Sequence, residues 1–221
     1  MKQQLKKLTA VVASAAVVTV GGIIGLSALA EGDGLQTELD ISRGRIEITD
    51  TSVLGYDSSG NEVNIPDPDG YIITGTTEEY TVTVSGEQKI TLKDASIDLT
   101  NNDYFCAFDI GNGGDVTLTL EGVNTIKSGK SCAGIDVIEG EALEITGTGS
   151  LTVTGGQYGA GIGTGETNDG GFSCGSVVIS GGSIWATGGE KGATVGQGAY
   201  YYSFEGEDPY YANGGLLSSK G

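Results

Sequence analysis

No histidine occurs anywhere in the 221 residues. That removes the usual zinc ligand sets and any conventional nucleophilic triad, which needs a histidine base. The three cysteines, Cys106, Cys132 and Cys174, are odd in number, unrelated in spacing and without a CxxC, so they spell no disulfide framework. None precedes residue 106, which excludes a lipoprotein anchor. Only three prolines stand against forty glycines, and no Gly-X-Y period links them, so the chain has many turns and is not collagen. Aromatics are 7% of residues, and an acidic chain poor in aromatics can be disordered. A regular alternation of Val, Ile and Leu argues against disorder here.

Met1 to Lys7 is basic, and Leu8 to Ala30 is apolar without a charge, closing on Ala28-Leu29-Ala30 before Glu31. This reads as a secretory signal peptide over residues 1–30. A retained membrane anchor is the competing reading, since the run nearly suffices to span. Gly21, Gly22 and the Ala-x-Ala end favour cleavage. Without Lys2, Lys6 and Lys7 the chain keeps 8 basic and 29 acidic residues, a net charge of −21. Such a chain repels nucleic acid and anionic membranes. The remainder, about 190 residues, suits one domain.

From Val116 to Thr164 the chain repeats itself with an offset of 27: Val116 and Leu118 fall on Leu143 and Ile145, Ile126 on Val153, and Ile135 on Ile162. A period in the twenties built from short strands means a stacked solenoid. Each coil indexes as three strands. First-strand pairs are Val63/Ile65, Ile90/Leu92, Val116/Leu118, Leu143/Ile145 and Val177/Ile179. Second-strand pairs are Tyr71/Ile73, Ile97/Leu99, Asn124/Ile126, Leu151/Val153 and Ile184/Ala186. Third strands carry Tyr80/Val82/Val84, Cys106/Phe108/Ile110, Ala133/Ile135/Val137, Ala160/Ile162/Thr164 and Ala193/Val195/Gln197. Paired residues two apart face one side of a strand, and the polar residues between them make that side the interior. Stacked parallel strands put about five coils into a rod roughly 25–30 Å long. The fold expectation is therefore all-β.

The chain divides into the signal peptide (1–30), an N-terminal linker and capping strand (31–62), the repeats (63–198), and a Tyr-rich insertion with the start of a further coil (199–221). Arg45 to Thr49 alternates like a strand that would cover the first coil. Gly165–Cys174 and Gly198–Asn213 interrupt the repeat on one edge, and Gly214 to Ser218 looks like another first strand, as if the chain were part of a longer one. The 27-residue register places Cys106 above Ala133 and turns Cys132 away, so no Cys106–Cys132 bond is expected.

The segments GYIITGTTEEYTVTV, ITLKDASIDL, CAFDI, VTLTLEG, CAGIDV, LEITGTGSLTVTGGQYGAGIG and VVISGGSIWATGG cover roughly residues 70–198. They resemble the right-handed β-helix repeats labelled carbohydrate-binding in large secreted surface proteins of Gram-positive gut bacteria. The resemblance implies a pectate-lyase-like, three-sided parallel β-helix, often one module among several. GATVG in place of GAGIG, and the Tyr-rich tail, depart from the pattern.

Sugar faces pack on exposed rings, so the candidate carbohydrate-binding residues are Trp185, which the alternation turns outward, and Tyr200, Tyr201, Tyr202, Tyr210 and Tyr211 in the tail. The tyrosines fit a groove or a cap over the last coil. Asp109 and Asp136 stand outward in one column, one coil apart, where two close carboxylates could share a calcium ion or simply be solvated. Calcium is the one candidate cofactor. A calcium-dependent polysaccharide lyase also needs a base beside the uronate, and no Arg follows Arg45. The expectation is a secreted, non-enzymatic module binding a polysaccharide or surface glycan at the cell surface, monomeric or part of a longer chain. The alternative is a structural stalk or adhesin module with protein partners.

Overall fold

The computed structural model describes residues 34–168, 173–202 and 210–212. Among these the protein is all-β with parallel sheets, apart from one 3-10 turn at Ile41–Arg43. Three ladders of parallel strands account for most of it. The first joins Thr37–Asp40, Tyr71–Thr74, the C-terminal half of Val82–Lys93, that of Phe108–Glu121, then Ala142–Gly147 and Ser176–Ile179. The third joins Ile46–Ile48, the N-terminal halves of the same two long strands, Ile135–Val137, Ile162–Gly163 and Val195–Gly196. Because the long strands run through both ladders, these form one sheet, 12-stranded with its antiparallel edge. The second ladder is a separate 5-stranded sheet: Thr76–Thr77, Ser96–Asp98, Val123–Lys127, Ser150–Thr154 and Ser183–Thr187.

Alternation builds these strands. Leu143, Ile145, Leu151, Val153, Ile135, Val137 and Ile162 are each 1% exposed or less, while Glu144 and Thr152 between them face solvent. Like stacks on like up each ladder, as in Phe108 on Ile135 on Ile162. The core is one continuous cluster of Ile, Leu and Val around Phe108, extended at its base by Leu39, Ile41, Ile46 and Ile48. At that base Val53–Tyr56 pairs antiparallel with Ile46–Ile48, and Glu62–Val63 pairs antiparallel with Val53–Tyr56. A parallel edge left open would template further strands, and this antiparallel turn-back blunts it.

Between Val116 and Gly163 the 27-residue register holds: Val116 lies opposite Leu143, Ile126 opposite Val153 and Ile135 opposite Ile162, while beyond the insertion the offset lengthens, with Leu143 opposite Val177 and Leu151 opposite Ile184. Below Val116 three assignments change. Val63 belongs to the antiparallel edge and Ile65 is exposed, so neither opens the first ladder. Tyr71 and Ile73 pair with Ile90 and Leu92, placing them in the first ladder and not the second. Ile90 and Leu92 then lie opposite Leu118 and Leu120, two residues beyond Val116 and Leu118, and Ile97 lies opposite Ile126 and not Asn124.

The physical cause of the shift is local. Between Ser85 and Glu87 the lower strand has one residue where the upper strand has three, Asn112, Gly113 and Gly114. Asn112 and Gly113 take positive φ (54° and 72°), which bulges the strand. A slip of two residues leaves every side chain on its original face, so the hydrophobic pattern is blind to it. Gln88 consequently lies opposite Val116, buried, with its Nε2 donating to Asp50 Oδ1 at 3.2 Å.

Candidate functional site

The second ladder presents a regular outward column. Its residues opposite one another run Thr76, Ser96, Thr125, Thr152 and Trp185, a column of hydroxyls ending in an indole. Ile184 and Ala186 on either side of Trp185 face the core, so alternation alone drives the ring outward, and it is 61% exposed. The neighbouring column runs Asp98, Lys127, Thr154, Thr187. There the Lys127 ammonium lies 2.8 Å from Asp98 Oδ2 and holds that carboxyl below its usual range. An exposed ring beside ordered hydroxyls offers a stacking face and hydrogen-bonding edges to the same ligand.

The tail tyrosines lie in a different sheet. Tyr200–Tyr202 pairs in parallel with Thr167–Asn168 and antiparallel with Tyr210–Ala212, setting Tyr201 opposite Tyr211 and Tyr202 opposite Tyr210. The two insertions that interrupt the repeat therefore meet, as their shared edge implies. Tyr200 is half-buried and its hydroxyl donates to Gln197 Oε1 at 2.7 Å. Trp185 belongs to the 5-stranded sheet and the tyrosines to this 3-stranded one.

Asp109 and Asp136 stand opposite one another on adjacent strands of the third ladder. They are not simply solvated. The insertion folds back so that Gly165 N donates to Asp136 Oδ1 at 3.1 Å, and Cys174 bridges to Ile138. Burial pushes Asp136 up to about 7, with repulsion from Asp109 adding to it. Burial also raises Asp109. Glu141, 4% exposed, accepts from Ile138 N at 2.8 Å and is likewise raised by burial. Among the described residues no group of three or more His, Cys, Asp or Glu comes together to hold a metal ion. Calcium takes six to eight oxygens, so this pair would have to draw most of its ligands from backbone and water. The arrangement favours the protonated form of Asp136 near neutral pH.

All three cysteines are free, Cys132 buried and the others half-buried. The 27-residue register holds, yet Cys132 does not turn away: its side chain is the largest cause that pushes the Cys106 thiol up. The tight turn closed by Cys132 N to Gly129 O, at 3.0 Å, brings it round before the strand begins at Ile135.

One aromatic group escaped the repeat pattern. Tyr104 is 81% exposed and Phe105 beside it is exposed, both in the turn between second and third ladders. Corresponding turns stack above them through Gly129 N to Phe105 O (3.0 Å), Tyr158 N to Lys130 O (2.9 Å) and Lys191 N to Gln157 O (3.0 Å). Lys130 Nζ lies 5.4 Å from the centre of the Tyr158 ring, a cation–π contact. The signal available in sequence was two consecutive aromatics in a polar turn, Asn101-Asn102-Asp103-Tyr104-Phe105, where nothing in the core asks for them.

Fold and surface together define an all-β protein of stacked parallel ladders with exposed aromatics on one sheet and its adjoining turns. Comparison with family models, curated proteins and solved structures finds no match.

Proposed function

We propose that this chain is a secreted, right-handed parallel β-helix module that binds a carbohydrate chain at the cell surface without altering it. The observation that carries the reading is the exposed Trp185, set at the end of a hydroxyl column on a regular sheet. The neighbouring Tyr104, Phe105 and Tyr158 turns extend a ring-bearing surface along the same stack, and stacked rungs about 4.8 Å apart suit an extended polymer better than a small solute. The solenoid reading draws support from strand-to-strand offsets near one repeat length in all three ladders. Right-handedness follows the strong preference of parallel crossover connections. Secretion rests on the signal-like residues 1–30.

Trp185→Ala is the test. On a glycan array the wild type should bind a polysaccharide and the variant should lose at least tenfold in affinity, with unchanged circular dichroism and melting temperature. Equal binding by the variant would remove Trp185 from the site. Unsaturated product from polygalacturonate with calcium would instead make the protein a lyase.

A structural stalk with protein partners is the second reading. The last rung among the described residues favours it, because Val178 and Ile179 are half-exposed there and Val177, Ile184 and Val195 are only partly covered. Binding to no glycan at all would support that reading over the first.

A further inference from the structure

Cys106 and Cys132 sit on neighbouring rungs whose preceding turns are tied together. Ser131 N donates to Asp103 O and Gly129 N to Phe105 O, each at 3.0 Å. The buried Ser128 hydroxyl accepts from Ala107 N at 2.8 Å and donates to Gly134 O at 3.3 Å, pinning the two segments just beyond the thiols. Phe108 then lies opposite Ile135, which fixes the register at this point. Extending that register sets Cys132 one residue off the position opposite Cys106, and with strands about 4.8 Å apart and about 3.3 Å per residue along them the diagonal is about 6 Å, inside the roughly 4.4–6.8 Å span of Cα atoms that a disulfide bridges. The two side chains interact, Cys132 being the largest cause that pushes the Cys106 thiol up. Cys174 is held away from them: its backbone bridges to Ile138 and its Sγ lies against Gly163.

We propose that Cys106 and Cys132 are a disulfide-forming pair, oxidised by exchange with a low-molecular-weight disulfide. Cys106 is the more exposed and reacts first. Its thiolate attacks one sulfur of the reagent, forming a mixed disulfide and releasing one small thiol. The Cys132 thiolate, from a side chain only 6% exposed, then displaces the second small thiol and closes the protein bond. Two protein S–H and one external S–S become one protein S–S and two external S–H, so electrons and protons both leave on the small thiols. The bond ties adjacent rungs across 26 residues of chain without disturbing the register. Hydrogen bonding to Cys132, burial and the carboxylates of Asp136 and Asp109 all push the Cys106 thiol up, so exchange is slow at neutral pH and accelerates as pH rises.

The native protein and its Cys174→Ser variant are incubated with oxidised glutathione at pH 8.5, and free thiols are then counted. The expected counts fall from three to one in the wild type and from two to zero in the variant. Trypsin without reductant then yields the variant's 94–127 peptide joined to 131–191, a link that is unambiguous only with Cys174 gone, since 131–191 contains both cysteines. The melting temperature rises by roughly 5 °C or more and returns on reduction. The proposal is overturned if the thiol counts do not fall, or if the wild type loses two thiols while the variant loses none, which would place the bond on Cys174. Cys106→Ser still consuming two thiols would overturn it as well.

Discussion

Asp136→Asn should make the protein more stable, and only above the acid range. An ordinary aspartate titrates near 3.8, and burial between Asp109 and the Gly165 turn pushes Asp136 up to about 7. The folded state therefore holds a proton that the unfolded state has already released. Below about pH 4 both states are protonated and the site carries no penalty. Between there and pH 7 the folded state binds more protons, so stability falls as pH rises, by at most about 1.4 kcal/mol per unit. Above pH 7 both states are ionised and the loss is complete, on the order of 2–4 kcal/mol. Asparagine keeps an oxygen to accept from Gly165 N while removing the charge. Urea unfolding of wild type and variant at pH 4, 6 and 8 tests this. The difference should be near zero at pH 4 and reach about 2–4 kcal/mol in favour of the variant at pH 8. Taking the difference cancels the general self-repulsion of so acidic a chain. A pH-independent difference, or a variant less stable at pH 8, would refute the burial argument.

Ile135→Ala, between Phe108 and Ile162 at full burial, should cost about 2–5 kcal/mol, whereas outward Thr152→Ala should change stability by less than about 0.5 kcal/mol; chemical denaturation of both checks the facing. Asn124 is fully buried, accepts from Ala95 N at 2.9 Å and donates to Glu121 O and Ser150 O at 3.0 and 3.2 Å. Asn124→Ala strands these backbone groups and should lower the urea midpoint by the equivalent of about 2–4 kcal/mol. Gly156→Ala drives a methyl into the Gly129 carbonyl of the rung below and should abolish soluble folding. Gly140→Ala, at φ +93° with open space around it, should fold and lose about 1–2 kcal/mol in the same assay.

Much of the architecture was legible because a stack of parallel strands writes itself into the chain at fixed intervals. Branched apolar residues at alternate positions decide which face of each strand is buried, and the 27-residue recurrence from Val116 to Thr164 decides which strand lies on which. The outward placement of Trp185 follows from Ile184 and Ala186 alone. Three matters were settled only in three dimensions. The two-residue slip at Asn112–Gly114 preserves every facing, so no hydrophobic pattern records it. The partial burial of Asp136 depends on Gly165, whose amide reaches it from a segment that carries no periodicity. The meeting of Cys106 and Cys132 depends on how a glycine-bearing turn approaches its strand, a backbone geometry that side-chain alternation does not encode.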